Sequence, residues 1–339
     1  MILEKVLSTT KYVVQNSQDI KINQEKIKIL AQKLVKTKLP TWNKKYHFSG
    51  SPADTIQYFF LLDGLNFSFF ATKNEKRWQI NYNNEKISGY FALSCALKKA
   101  IAKYPILDSH FAANIPLKTF KEIVAGKNQA PLLLKRWQIL KQVNQTLLKK
   151  YDGKAINLVK KANHSADKLV ELILADFPCF RDITTYKDKK IYMLKRAQIF
   201  AGDVWGCLNG KGLGYFRDIN KLTCFADYKI PQILHYFGVL EYSSKLLQKI
   251  KNQALIKPGS IEEIEIRANT IWAIELIKKE MAKPFGAAQG RPFGTPTVSR
   301  AEPAQGRHLP AFQIDWLLWT MAKKIKMPMS HHHTRTIYY

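Results

Sequence analysis

The stretch from Tyr58 to Phe70, Tyr-Phe-Phe-Leu-Leu-Asp-Gly-Leu-Asn-Phe-Ser-Phe-Phe, is the longest apolar run of the chain. It is too short to span a bilayer, so its place is the inside of a folded core. Just upstream, Ser51-Pro52-Ala53-Asp54 has the form of a helix start, with Ser51 as N-cap and Pro52 in the first turn. Two polar side chains, Asp63 and Asn66, interrupt the run. They read either as a satisfied buried network or as groups that meet the edge of a heterocycle, with Phe67 or Phe69 stacked on its face.

The rest of the chain is dominated by helical spacing. Ile20, Ile27, Leu30 and Leu34 fall on one face of a helix expected over 20–35. Similar patterns predict helices over 131–150, 165–175 and 191–208, and Ser260-Ile261-Glu262-Glu263 reads as a capping box opening a helix to about Met281. Between Arg77 and Phe91 the period changes to two: Trp78, Ile80 and Tyr82 alternate with polar residues, and Asn83-Asn84 offers a hairpin turn. The expected fold class is mainly α (α+β, with a small β-hairpin near 77–91), in a single domain over 1–339. One segment departs in composition. Residues 284–310 hold five of the fourteen prolines, three arginines and no lysine, and repeat Ala-Gln-Gly-Arg and Pro-Phe-Gly. They read as an inserted surface loop, with an active-site lid as the functional alternative.

A net charge of +28 invites a nucleic-acid reading. The lysines, however, outnumber arginines 44 to 10 and are spread along the chain, and no helix-turn-helix, zinc-finger or RNP signature accompanies them. No stable nucleic-acid partner is expected; a phosphate-bearing small ligand fits the charge. Cys95, Cys179, Cys207 and Cys224 form no CxxC pair and have no His at metal-ligand spacing, so no metal is expected. Reduced thiols and an N-terminal Met1-Ile2-Leu3-Glu4-Lys5 without a secretory apolar region point to a soluble, cytoplasmic protein with no membrane partner.

Chemistry is suggested at two further places. Asp227 lies in the apolar run Phe225-Ala226-Asp227-Tyr228, where a carboxylate is costly to desolvate unless paired or used. It reads equally as the N-cap of a helix that includes Pro231. Lys195, Arg196, Ile199 and Asp203 share one arc of the helix expected over 191–208, with Gln198 and Trp205 nearby. That face is either an ordinary amphipathic surface or a site for an anion carrying a ring. Gly210-Lys211-Gly212-Leu213-Gly214 lacks the spacing of a phosphate loop and reads as a connection.

Taken together, these segments resemble the queuosine salvage family, the queuosine 5′-phosphate N-glycosylases. The resemblance is carried by Leu65-Asn66-Phe67-Ser68-Phe69, Ser88-Gly89-Tyr90, Phe177-Pro178 with Arg181-Asp182, and Lys195-Arg196-Ala197-Gln198-Ile199. It continues through Phe225 to Gln232, Glu263 to Arg267, Asp315 to Trp319 and the terminal Arg335-Thr336-Ile337-Tyr338-Tyr339. It implies a helical body related to helical DNA glycosylases and cofactor-free hydrolysis of the N-glycosidic bond of queuosine 5′-monophosphate, releasing queuine and ribose 5-phosphate. It places the catalytic aspartate at Asp227. By the same resemblance Lys195, Arg196, Arg335 and His332 are candidates for the 5′-phosphate, and Asp63, Asn66, Phe67, Trp205, Tyr228 and Asp315 for the base and ribose. The competing classes are a glycosylase acting on intact nucleic acid and a non-catalytic binder of modified nucleosides.

Overall fold

A computed structural model of the chain describes residues 1–284 and 306–339. In chain order its elements begin with α1 (Ile2–Gln15), β1 (Ile20–Ile22), α2 (Gln24–Val35), α3 (Pro52–Gly64), β2 (Gln79–Tyr82) and β3 (Glu85–Ser88). There follow α4 (Tyr90–Ile101), α5 (Ser109–Asn114), α6 (Leu117–Ile123), α7 (Leu133–Tyr151), α8 (Ala155–Lys161) and α9 (Ala166–Asp176). The second half holds β4 (Ile183–Tyr186), β5 (Lys189–Tyr192), α10 (Lys195–Cys207), α11 (Lys229–Tyr236), β6 (Leu240–Tyr242), α12 (Ser244–Lys251), α13 (Ile261–Met281) and α14 (Ala311–Lys324). The fold is mainly α, as expected, with small antiparallel two-stranded sheets at its margins.

Local chemistry sets most boundaries. The Ser51 Oγ accepts from the Asp54 N–H, Ser165 from Lys168 and Ser260 from Glu263, each satisfying one of the free amides of a first turn. Asn83 and Asn84 stand at φ +47° and +63°, the left-handed pair that a tight two-residue hairpin turn needs, and they join β2 to β3 in the expected register. Two expectations are corrected. Ile20 belongs not to a helix but to β1, which pairs with β6 (Ile20 opposite Tyr242), so α2 begins only at Gln24 behind the Asn23 cap. Ile191 likewise lies in β5, in a second hairpin with β4, and the helix starts at Lys195.

α3 and α13 are buried on nearly every face, which makes them the axis about which the other helices pack. α10 lies against α3, and Phe60 of α3 stacks on Phe180 at 5.6 Å and meets Phe200 of α10 edge-on at 4.8 Å. Gly206 lets α10 approach Trp42, because a Cβ there would meet the indole at 2.4 Å. Residues 330–339 close the body by backbone pairing. Ser68 N–H donates to the Tyr339 carbonyl at 2.8 Å, Ser68 Oγ to Thr336 O at 2.7 Å, and Ile256 N–H to His333 O at 2.8 Å. The expected insertion over 284–310 lies mostly outside the described residues. At its edges, the Arg307 N–H donates to Met281 O at 2.7 Å.

Candidate active site

A cavity of about 690 Å³ opens where α4, α10, α11, α14 and the C-terminal residues converge. Five of the sequence candidates line it together: Asp227, Lys195, Asn66, Tyr228 and Asp315. Asp227 stands two residues before α11, with Tyr228 between them. Its Oδ1 accepts from the N–H groups of Lys229 (2.6 Å) and Ile230 (3.0 Å), which caps the helix. Its Oδ2 takes no hydrogen bond among the described residues, and the side chain faces the cavity. Burial raises the Asp227 carboxyl above the usual range, opposed first by the Lys195 ammonium and then by the two capping amides.

Lys195 is the common neighbour of the acids. As the first residue of α10 it is 4% exposed, and its Nζ donates to the Asn66 carbonyl at 3.3 Å. Burial pushes it down to about 8, while Asp227 and Asp63 pull it back up. Asp315, on α14, accepts from the Phe225 N–H at 2.9 Å and the Cys224 thiol at 3.3 Å, so it holds the strand of chain leading into Asp227. Burial, reinforced by Asp227, raises it to about 8, which leaves it largely protonated at neutral pH. Asp203 also lines the cavity and is raised to about 8 by burial.

The walls are aromatic. Tyr228 stacks on His331 (centroids 4.3 Å, planes 29° apart), and Phe70 stacks on His333 (4.5 Å, 21°) and meets Tyr228 edge-on. Trp42, Tyr90, Phe91, Trp316 and Trp319 complete the enclosure. Such rings offer faces to a planar heterocycle.

The other candidates lie elsewhere. Arg196 is adjacent to Lys195 but points away from the cavity, because neighbouring helical residues diverge by about 100°. Its guanidinium donates to the carbonyls of Gly64 and Cys179 and lies over Phe180, pinning the end of α3 to the turn after α9. It does not line the cavity. His332 is buried against Tyr339, and burial lowers it to about 3, so it is neutral. Arg335 pairs with Glu75 over the Phe70 ring. Phe67 is buried under Arg136, and Trp205 packs on Phe312 and Trp316 behind the wall. Asp63 is fully buried, with neither carboxyl oxygen hydrogen-bonded among the described residues, and it bears on the site through Lys195 and Asp203.

The sequence did not reveal the positive end of the cavity. Arg77 from the hairpin entry, Lys229 from α11 and Lys323 from α14 line it together, and none has a carboxylate partner within salt-bridge distance among the described residues. Lys323 is pushed down to about 8, first by burial, then by Arg77 and Lys229. Three convergent cations make this end of the cavity positive, with Asp227 the acid that acts on Lys229. Only the position of Lys229, two residues after Asp227 in the sequence, hinted at it.

The chain matches the queuosine salvage protein family over residues 46–339. It is 34% identical to the queuosine 5′-phosphate N-glycosylase/hydrolase of Sphaerobacter thermophilus over 338 residues, covering 98% of this chain and 97% of that protein. The proteins of the same description from Mus musculus and Dictyostelium discoideum are each 32% identical, with 97% or more of every chain covered. With a family match across most of its length and relatives similar from end to end, the chain belongs to the queuosine salvage protein family.

Proposed function

We propose that this protein hydrolyses the N-glycosidic bond of queuosine 5′-monophosphate, releasing queuine and ribose 5-phosphate. The observation that carries the reading is Asp227. One oxygen is fixed by two backbone amides and the other is left facing an aromatic cavity. Breaking the C1′–N bond builds positive charge on the ribose. A carboxylate held rigidly by a helix start stabilises that charge, and then acts as nucleophile or as base toward water. Lys195 favours the ionised form of Asp227, and the protonated Asp315 fixes the approach without adding a competing charge.

The cavity volume lies within the range of roughly 300–1,000 Å³ typical of small-molecule sites. Its aromatic walls suit the base, and Arg77, Lys229 and Lys323 suit the 5′-phosphate. Relatives that carry the name queuosine 5′-phosphate N-glycosylase/hydrolase support the same substrate. We place the protein in the cytoplasm, acting as one unit over 1–339 without a stable nucleic-acid partner. The four cysteines are unpaired, which suits a reducing compartment. No helix among the described residues is long and apolar enough to cross a membrane.

Incubation with queuosine 5′-monophosphate, followed by mass detection of free base, tests the assignment. Base release that changes little with salt is expected; a steep fall with salt points to a polyanionic substrate instead. Binding of the nucleotide without release of base shows a binder and removes the enzymatic reading.

A further inference from the structure

One acid on the cavity wall, Asp203, has no part in the chemistry carried by Asp227. Asp203 stands two turns beyond Lys195 on the same face of α10, since 195, 199 and 203 recur at the helical period and all three line the cavity. The residue is 5% exposed, and its Oδ2 has no hydrogen-bond partner among the described residues. Asp63 faces it from α3, and Tyr90 from α4 with His47 hydrogen-bonded behind it at 3.0 Å; Lys195 and Cys207 lie on its own helix. Trp42 and Trp316 pack over the same stretch of α10 at Gly206. Burial raises Asp203 to about 8, against a pull downward from Lys195 and the Tyr90 hydroxyl. Asp63 is raised too, first by burial and next by Asp203 itself. The corner thus keeps a carboxylic acid neutral on the wall of a cavity in which another acid, Asp227, is raised by burial but drawn back toward its anion by Lys195.

Two acids in unlike environments are the arrangement that splits glycosidic bonds, one protonating the leaving group and one meeting the sugar cation. A 7-deazapurine sharpens the need. It has carbon where a purine has N7, so the ring position that most readily accepts a proton in a purine is missing. The charge released on C1′–N cleavage has to be met at another nitrogen or at the carbonyl by an acid already in place.

We propose that Asp203 is the general acid for departure of the base, acting with Asp227 at the ribose carbon. The assignment rests on the N-glycosidase reading above. As the C1′–N bond breaks, its electron pair stays on the base and the Asp203 proton passes to the base. Water then bonds to C1′ through oxygen, its surplus proton goes to Asp227 and on to solvent, and Asp203 regains a proton from solvent. The net change is addition of one water.

The test compares wild type and Asp203→Asn on two substrates: queuosine 5′-monophosphate, and a 4-nitrophenyl β-ribofuranoside 5-phosphate, whose leaving group departs as a stable phenolate without a proton. The variant is expected to lose at least about 100-fold in kcat on the nucleotide, with KM within about threefold. On the aryl substrate it is expected to keep activity within about threefold of wild type. Equal loss on both substrates, or no loss on the nucleotide, overturns the assignment and leaves the N-glycosidase reading standing. A wild-type protein inert on both overturns that reading and this assignment with it. Should Asp203→Asn not fold, Tyr90→Phe carries the test. Loss of the hydroxyl that stabilises the Asp203 anion is expected to move the basic limb of the kcat profile upward from near pH 8. An unmoved limb overturns the assignment.

Discussion

Arg267 and Asp182 form a buried two-pronged ion pair, with Nη2 to Oδ2 at 2.6 Å and Nη1 to Oδ1 at 2.8 Å, that joins the two halves of the site. The Arg267 Nε donates to Ala226 O at 3.1 Å, one residue before Asp227. Asp182 Oδ2 accepts from the Lys195 N–H at 3.1 Å, and its carbonyl takes the N–H groups of Met193 and Leu194. Leu194 is held at φ +55°, a left-handed conformation that costs a branched residue roughly 1–2 kcal/mol. The pair therefore sets where both Asp227 and Lys195 stand. Arg267→Lys keeps the charge but loses the fork. It is expected to lower stability by about 1.5–3 kcal/mol and to reduce kcat more than it raises KM. Unchanged kcat in a destabilised variant would limit the pair to a folding role.

Asp227→Asn is expected to abolish turnover while retaining fold. The Asn side-chain oxygen still accepts from Lys229 and Ile230 N–H, and Asn caps helices about as well as Asp. It supplies no negative charge to the ribose. Base release and thermal unfolding measured on the same preparation decide the matter. Retention of more than about a tenth of wild-type kcat, a barrier change below about 1.4 kcal/mol, removes Asp227 from the catalytic role.

The cationic end of the cavity separates phosphate binding from scaffold. Arg77→Ala and Lys323→Ala are expected to raise KM for the nucleotide by about 10- to 100-fold, corresponding to roughly 1.5–3 kcal/mol for a charged hydrogen bond, with little effect on the unphosphorylated nucleoside. Arg196→Ala leaves the Gly64 and Cys179 carbonyls without their donor in the interior. Its expected effect is a loss of stability of about 1–3 kcal/mol per orphaned group. Steady-state kinetics on both substrates, with melting curves alongside, would contradict this division if Arg196→Ala alone abolished the preference for the nucleotide.

Stability should depend on pH through Asp203. Its folded pKa is about 8, against about 3.8 for an exposed carboxyl, so folding takes up a proton between those values. The folded state loses stability as pH rises through that window. Asp203→Asn has no proton to take up and escapes this loss. The variant is expected to match wild type in melting temperature near pH 4 and to exceed it increasingly toward pH 8, by up to a few kcal/mol. A difference that does not grow with pH would show that Asp203 ionises normally in the folded protein.

Deletion of residues 285–305 is expected to leave stability and turnover within roughly tenfold of wild type. The flanks are already joined, with the Arg307 N–H on the Met281 carbonyl at 2.7 Å, so a shortened connection has little distance to cover. Normal melting with a larger loss of kcat would assign the segment a part in catalysis.

The sequence by itself determined what depends on neighbours a few residues apart. Ser51, Ser165 and Ser260 cap helices through contacts three residues on, and Asn83-Asn84 turns a hairpin from its own backbone preferences, so those elements were legible. The isolation of an acid at Asp227 was legible too, because Phe225, Ala226 and Tyr228 flank it directly. What depends on distant partners was not. Ile20 follows a helical pattern, yet it is a strand because Tyr242 pairs with it from far down the chain. Lys195 and Arg196 are equivalent in the sequence; packing of α10 against α3 turns one into the cavity and the other onto buried carbonyls. Arg77, Lys229 and Lys323 are three among 54 cationic side chains, marked out only when a hairpin entry and two helices bring them together. Backbone conformation is a short-range property of the chain, whereas convergence of side chains is decided by the core that packs between them.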